Sequence, residues 1–118
     1  VGVMDLQANE LVGEIQLEGD DTNGMAFSPD GRRLYVNSTT SLVEIDPGRN
    51  TVVRSLRLGE ATSSLALTPD GKWAYVGALE EDVFVSGVAV VDIEAWKVAG
   101  RIRGFTFPAE LAFRRITE

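Results

Sequence analysis

The sequence predicts an all-β fold, and three observations lead to it. The twelve residues MAFSPDGRRLYV at 25–36 return as LALTPDGKWAYV at 65–76, forty positions later. Both copies are rich in β-branched and aromatic residues and are interrupted by turn-forming Pro, Asp and Gly. A valine-containing segment that ends in aspartate recurs at Asp5, Asp46 and Asp92. A period near forty residues with strand-like content is typical of a β-propeller, which is built from repeated four-stranded antiparallel blades.

Each unit begins with a short first strand whose apolar residues are consecutive. These strands are 25–27 (MAF) and 65–67 (LAL), and 111–113 (LAF) opens a further unit. Consecutive apolar residues over so few positions favour a strand that is buried on both faces. We therefore expect Phe27 and Leu67 to be buried.

A turn of the form Ser/Thr-Pro-Asp-Gly follows the first strand, at 28–31 and 68–71. Pro presets φ, Asp can bond its own backbone, and Gly accepts a positive φ at the exit of the turn. Second strands are predicted at 33–36 and 73–76, where β-branched and aromatic residues recur. Each unit is therefore expected to open with a hairpin.

The third strand of each unit ends in an aspartate, and the fourth strand alternates polar and apolar residues. The alternation indicates an outer strand with one face in water. Residues that recur in register usually serve the blade itself, so the three aspartates are predicted to cap turns. The predicted third strands are 3–5, 43–46 and 90–92, and the predicted fourth strands are 11–17, 52–58 and 98–102.

The second strand ends in Tyr-Val in both complete units, within the tetrapeptides YVNS at 35–38 and YVGA at 75–78. Each unit therefore has the same order: an apolar strand, Ser/Thr-Pro-Asp-Gly, a basic residue, Tyr-Val and two further strands. Over almost the whole chain, this order resembles the YVTN family of β-propeller repeats. Related repeats occur in bacterial and archaeal surface-layer proteins, in lactonase-like enzymes and in subunits of quinone-dependent amine dehydrogenases. The resemblance therefore implies a propeller blade rather than one activity, and a location in the periplasm or at the cell surface.

The units divide the chain, as one repeat segment, into a partial blade at 1–19, blades at 24–59 and 64–104, and the start of a next blade at 109–118. These units hold about eleven strands, which is fewer than three blades, whereas a propeller has roughly four to eight. The ring is therefore predicted to be incomplete within this chain, with two blade faces bare.

Three interpretations of the incomplete ring remain open. The chain, which begins with Val rather than Met, is a segment of a longer propeller; or copies of it associate into a ring or a stacked dimer; or it folds alone with its end strands rearranged. The first two predict contact with other polypeptide through 3–17 and 88–113. Bare apolar faces and unpaired strand edges are both unfavourable in water.

Composition excludes several kinds of chemistry. The 118-residue chain has a formal net charge of −7 and contains neither Cys nor His. A protein that binds phosphates needs clustered Lys and Arg, so we expect no nucleic-acid partner. Without thiol or imidazole ligands, we expect no transition metal or covalent haem and predict no cofactor. No apolar run approaches the roughly 18 residues of a membrane-spanning helix.

An insertion in the third unit is the best candidate for a binding loop. It follows the second strand, is headed by Glu80, Glu81 and Asp82, and continues with apolar residues that include Phe84. An insertion in one repeat maps to a loop on one face, where propellers commonly carry binding residues. The alternative is an extended hairpin without a ligand.

A second acidic group precedes the second unit and consists of Glu18, Asp20, Asp21 and Asn23. Hard oxygen ligands at close spacing can hold Ca²⁺. The same residues are typical of turns in a solvated loop. The sequence leaves both interpretations open, and we assign no metal ligand.

Taken together, these patterns favour a non-catalytic scaffold or binding module whose partner is protein, either the remainder of a propeller or a second copy. No catalytic residue is singled out by the sequence. The resemblance leaves two alternatives: a segment of a lactonase-like or quinone-dependent dehydrogenase propeller, and a structural repeat of the cell surface. Trp73 and Trp96 are predicted to contribute packing rather than a ligand platform.

Overall fold

A computed structural model describes residues 1–17, 22–59, 61–79 and 86–103. These four ranges form ten β-strands and no helix. None of these residues forms a helix that is long and apolar enough to span a membrane. The strands are β1 (Gly2–Asp5), β2 (Glu10–Glu14), β3 (Thr22–Phe27), β4 (Leu34–Ser38), β5 (Ser41–Asp46), β6 (Thr51–Arg57), β7 (Ala61–Leu67), β8 (Trp73–Leu79), β9 (Ser86–Asp92) and β10 (Lys97–Arg103).

The strands form three antiparallel sheets, which are one partial blade and two four-stranded blades. The first blade holds β1 and β2, the second holds β3 to β6, and the third holds β7 to β10. Within each blade, every strand pairs with the next strand along the chain, as the short connections require. The predicted all-β fold with propeller-type blades is confirmed, and the ring is open within the described residues.

Two apolar layers hold the blades face to face. Alternate residues of a strand point to opposite faces, so Tyr35 and Val36 in β4 belong to different layers. The layer between the first and second blades contains Ile15, Leu34, Val36, Val43 and Ile45. The layer between the second and third blades contains Tyr35, Leu42, Leu58, Ala74, Val76, Ala78, Ala89, Val91 and Ile93.

The predicted turns between the first and second strands are present in both complete blades. The amide of Gly31 donates to the carbonyl oxygen of Ser28 at 2.9 Å, and Gly31 has a φ of +74°. The Ser28 hydroxyl donates to the Asp30 carboxylate at 2.6 Å, and this bond is the main reason that the pKa of Asp30 lies below its ordinary value. The equivalent bond from Thr68 lowers the pKa of Asp70 in the same way.

The aspartates that end the third strands cap the following turns, as their register predicts. A carboxylate oxygen of Asp5, Asp46 and Asp92 accepts hydrogen bonds from backbone amides two or three positions further on, at 2.9–3.2 Å. Each bond satisfies a donor that the strand ladder does not use. The three residues are therefore part of the blade architecture.

The same turns end with a residue in the left-handed region of backbone space. Asn9, Asn50 and Trp96 have φ values of 54°, 52° and 54°. Asn adopts this conformation readily, whereas a bulky aromatic residue does so only against a steric penalty. Trp96 therefore replaces the residue type that suits this position in the other two turns.

The predicted burial of the first strand is wrong for the second blade. Met25 and Phe27 are 58% and 60% exposed, whereas Leu65 and Leu67 of the third blade are half-buried. The cross-strand register places Met25 beside Val36 and Phe27 beside Leu34, so both point toward the first blade. In the described residues the first blade supplies only its third and fourth strands, β1 and β2, and leaves these side chains bare.

Candidate functional site

The inner part of the second blade has an exposed apolar surface, formed by Met25 and Phe27. We call these two residues the uncovered face. Their register partners Val36 and Leu34 are buried in the layer against the first blade. The apolar layer therefore continues onto the uncovered face without a neighbouring strand to cover it.

The third blade shows what normally covers this face. Leu65 and Leu67 occupy the positions of Met25 and Phe27, and both pack against the layer that contains Tyr35. Tyr35 lies on β4, the second strand of the preceding blade. The first and second strands of a preceding blade are thus the natural cover, and the first blade lacks both in the described residues.

The edge of β1 is open in the same region. In the ranges that the structure describes, β1 pairs with β2 alone, whereas its equivalents β5 and β9 pair on both sides. An edge strand presents unpaired backbone donors and acceptors that favour the addition of another strand. The open edge and the uncovered face therefore call for the same missing element, an inner pair of strands.

A second, outward face lies at the start of the chain. Met4 and Leu11 pair across β1 and β2 and are mostly exposed. Val3, which points the other way, packs against the second blade. Met4 and Leu11 therefore stand where a further preceding blade would pack.

A charged cluster joins the second and third blades on the opposite side. Arg54 donates from Nε to the carboxylate of Glu44 at 2.5 Å and from a terminal nitrogen to the carbonyl oxygen of Ile93 at 2.9 Å. Its guanidinium lies 4.2 Å from the ring centroid of Trp96. Glu44 is only 5% exposed, so its charge requires these partners.

Tyr35 completes this cluster. Its hydroxyl donates to the second carboxylate oxygen of Glu44 at 3.1 Å, and its ring lies 6.4 Å from that of Trp96. Burial raises the pKa of Tyr35 to about 12, with further contributions from the Glu44 charge and the hydrogen bond to it. The phenol therefore stays protonated and holds Glu44 in place, which is a structural role.

A neutral polar network joins the same two blades at one rim. The Asn23 side chain donates to the carbonyl oxygen of Thr62 at 2.8 Å, and the Asn37 side chain donates to the Thr62 hydroxyl at 3.2 Å. That hydroxyl in turn donates to the carbonyl oxygen of Ser38. Asn37 is fully buried, and the bond to Thr62 replaces water for its side-chain nitrogen, whereas its side-chain oxygen has no hydrogen-bond partner among the described residues.

The sequence-predicted binding loop is not tested by the structure. Glu80, Glu81, Asp82 and Phe84 lie outside the described residues, between the end of β8 and the start of β9. They remain a prediction.

The acidic group before the second blade is described only at Asn23, because Glu18, Asp20 and Asp21 lie outside the described ranges. The Asn23 amide group bonds to the backbone of β7. Across the described ranges, no three acidic side chains gather closely enough to hold a metal ion. Asn23 is therefore accounted for by contact between blades.

Sequence reasoning did not find the uncovered face or the charged cluster. The bare ends of the arc were predicted, but Met25 and Phe27 were expected to be buried like every first strand. The signal was available, because no first or second strand is predicted before 3–5. For the charged cluster, the sequence signal is Glu44, because the equivalent residue in the third strand of the third blade is the apolar Val90.

Comparisons with known proteins identify the architecture. No family model and no curated protein matches the chain. Among solved structures, hydrazine synthase of Kuenenia stuttgartiensis is similar with a TM-score of 0.79 and 23% identity, over 92% of this chain and 31% of that one. The dihydro-heme d1 dehydrogenase NirN in complex with DHE matches with a TM-score of 0.70 and 25% identity, over 86% of this chain and 21% of that one.

A third similar structure is a functionally unknown protein from Desulfotomaculum acetoxidans DSM 771, with a TM-score of 0.72, 18% identity, and coverage of 86% of this chain and 32% of that one. The chain thus spans about a third or less of the length of each of these proteins. At these identities the likeness concerns the fold. The chain has the architecture of a β-propeller segment.

Proposed function

We propose that the chain is a non-catalytic scaffold segment of a β-propeller, which binds further polypeptide through the uncovered face. The observation that carries the proposal is the exposure of Met25 and Phe27, at positions where Leu65 and Leu67 are covered by a neighbouring blade. Covering two such side chains contributes about 1–2 kcal/mol each. The open edge of β1 adds backbone hydrogen bonds to the same association.

The occupant we propose is the inner pair of strands that would complete the first blade. In the YVTN-type interpretation of the repeat, that pair carries an apolar-Ala-apolar strand and a Tyr-Val strand. Ala26 and Tyr35 are the residues of these types that face Leu65 and Leu67. The proposed units are 1–19, 24–59 and 64–104, with a next blade from 109.

An extension of the chain tests the proposal directly. Val1 occupies the position of Leu42, so a copy of residues 22–41 placed before Val1 would supply the missing first and second strands in register. We expect a higher free energy of unfolding and protection of the Phe27 side chain in the extended variant. The control replaces the copied Tyr35 with Asp, which would bury an unpaired charge against the uncovered face.

A failure of both variants to change stability or the exposure of Phe27 would contradict the proposal. A gain in the unmodified extension alone would support it. Equal gains in both variants would show that added length, rather than a complementary strand pair, is responsible, and would also contradict it.

The composition of the chain narrows the partner. A formal net charge of −7 disfavours nucleic acid as the partner. We propose that the partner is the remainder of a larger propeller, or a second copy of the chain, in the periplasm or at the cell surface.

A second candidate is a blade segment of a propeller enzyme. It is favoured by the names of two similar structures, a hydrazine synthase and a dehydrogenase. With neither His nor Cys in this sequence, the reactive groups would come from other parts of such an enzyme. The test replaces the described acidic residues of this segment one at a time within such an enzyme and measures turnover. Turnover that persists in every variant would support the view that the reactive groups lie outside this segment.

A further inference from the structure

A cleft opens between the end of the first blade's outer strand and the second blade. Its volume is about 240 Å³, well above the roughly 30 Å³ that one water occupies in the liquid. Three serines line it, Ser38, Ser41 and Ser55, together with Gln16, Leu17, Val43 and Val52. None of these residues belongs to the uncovered face, so a ligand can occupy the cleft whatever covers that face.

The next seam between blades shows what fills this position. Ser55 pairs with Val43 across β6 and β5, and Arg101 pairs with Ala89 across β10 and β9. Ser55 and Arg101 are therefore equivalent positions of successive blades. Arg101 directs a terminal guanidinium nitrogen to the carbonyl oxygen of Leu58 at 2.7 Å.

The acceptor in that bond also has an equivalent in the cleft. Leu58 directly follows β6, three residues beyond Ser55, and Leu17 lies three residues beyond Glu14, the residue equivalent to Ser55 in the first blade. Leu17 lines the cleft. The seam between the first and second blades thus keeps the acceptor position and lacks the arginine.

The other cleft residues differ between the seams in a complementary way. Ser38 and Ser41 of the second blade correspond to Ala78 and Gly87 of the third blade, which face each other across β8 and β9. In the seam that contains Arg101, these two positions hold the small residues Ala78 and Gly87. In the seam that contains the cleft, they hold two serines. Hydroxyl oxygens and an amide carbonyl accept hydrogen bonds from a cationic N–H donor.

We propose that this cleft binds the guanidinium group of an external ligand in the place that Arg101 fills in the next seam. The guanidinium presents five planar N–H donors, which suit the several dispersed acceptors of the cleft. The net charge of −7 attracts cations to the chain as a whole, whereas the cleft itself is lined by neutral residues and Ser41 pairs with Arg57 across β5 and β6. The group comes either from a small molecule or from an arginine side chain of another polypeptide.

The first experiment titrates the chain with methylguanidinium and follows the backbone amide resonances of Ser38, Ser41 and Ser55. N-methylurea, a neutral compound of nearly the same shape, is the control. We expect saturable shifts with methylguanidinium and at least about tenfold weaker binding of N-methylurea. Absence of shifts, or equal binding of the two compounds, would overturn the proposal.

A variant supplies the second experiment. Ser55→Arg places in the cleft the side chain that the next seam carries, so it should abolish methylguanidinium binding and raise the midpoint of thermal unfolding. If this variant does not fold, Ser38→Ala combined with Ser41→Gly introduces the third blade's residues and should weaken binding by about tenfold. Binding that is unchanged in the folded variant would overturn the proposal.

The source of the guanidinium is decided with two probes on the wild-type chain. Agmatine represents a free small molecule, and the capped tripeptide Gly-Arg-Gly represents an arginine within a polypeptide. If the tripeptide binds more tightly than agmatine, the ligand is an arginine within a polypeptide. If agmatine binds and the tripeptide does not, the ligand is a small molecule. Failure of both probes to displace methylguanidinium would overturn the assignment of a guanidinium site.

Discussion

Arg54 of the second blade and Trp96 of the third blade are stacked, with the guanidinium carbon 4.2 Å from the centroid of the indole ring. The stacking coincides with two unfavourable features of Trp96, namely its positive φ and a buried indole N–H that has no partner among the described residues. The contact with Arg54 offsets part of this cost, because a partly exposed cation over an aromatic face is attracted by about 1 kcal/mol. The seam between these two blades is therefore specified by side chains that the first seam lacks.

Replacement of Arg54 with Ala is expected to lower the free energy of unfolding by about 2–3 kcal/mol, because it leaves the buried Glu44 carboxylate with weaker partners. Arg33 lies 3.8 Å from the same carboxylate and retains part of the interaction. Chemical denaturation measures the loss. Arg49→Ala is the matched control, since Arg49 lies in an exposed turn of the same blade. Equal effects of the two substitutions would contradict the role of the cluster.

Replacement of Tyr35 with Phe is expected to remove a loss of stability at high pH. The folded-state pKa of about 12 exceeds the ordinary value of 10.0, so the stabilisation by the neutral phenol is complete below pH 10 and is lost as the pH rises toward 12. In this pH range, the free energy of unfolding of the wild-type chain should fall, relative to that of the variant, by at most about 1.4 kcal/mol per pH unit. Urea denaturation between pH 8 and roughly pH 12 measures the difference. A difference that is constant across this range would contradict the assignment.

The fold could be predicted because every strand and turn is specified locally. The Pro-Asp-Gly turns and the aspartate caps act within a few residues, so their spacing alone fixes the blades. The exposure of Met25 and Phe27 does not follow from these local patterns, because it depends on which strands the neighbouring blade supplies. The Arg54–Trp96 contact and the cleft at Ser55 likewise arise between blades, at residues about forty positions apart in the chain.

A swap between blades tests the fit at the rim. An added Cβ at Gly24 would lie 2.8 Å from the side-chain oxygen of Asn37, whereas the third blade has Ser64 and Gly77 at these positions. Gly24→Ser alone should therefore lower the free energy of unfolding by about 1–3 kcal/mol. Combined with Asn37→Gly, which removes the obstructing oxygen, it should cost less than the sum of the single effects by about 1 kcal/mol or more. Additive effects in the denaturation series would contradict the close contact.

The uncovered face is tested most directly by the molar mass of the chain. Multi-angle light scattering over a concentration series is applied to the wild type, to Phe27→Ser, and to Val53→Ser as a control at another exposed apolar residue, on β6. We predict a mass that rises above 12.8 kDa with concentration in the wild type and in Val53→Ser, and a shift toward the monomer in Phe27→Ser. A wild-type chain that is folded, cooperative and strictly monomeric at every concentration would contradict the claim that this face binds other polypeptide.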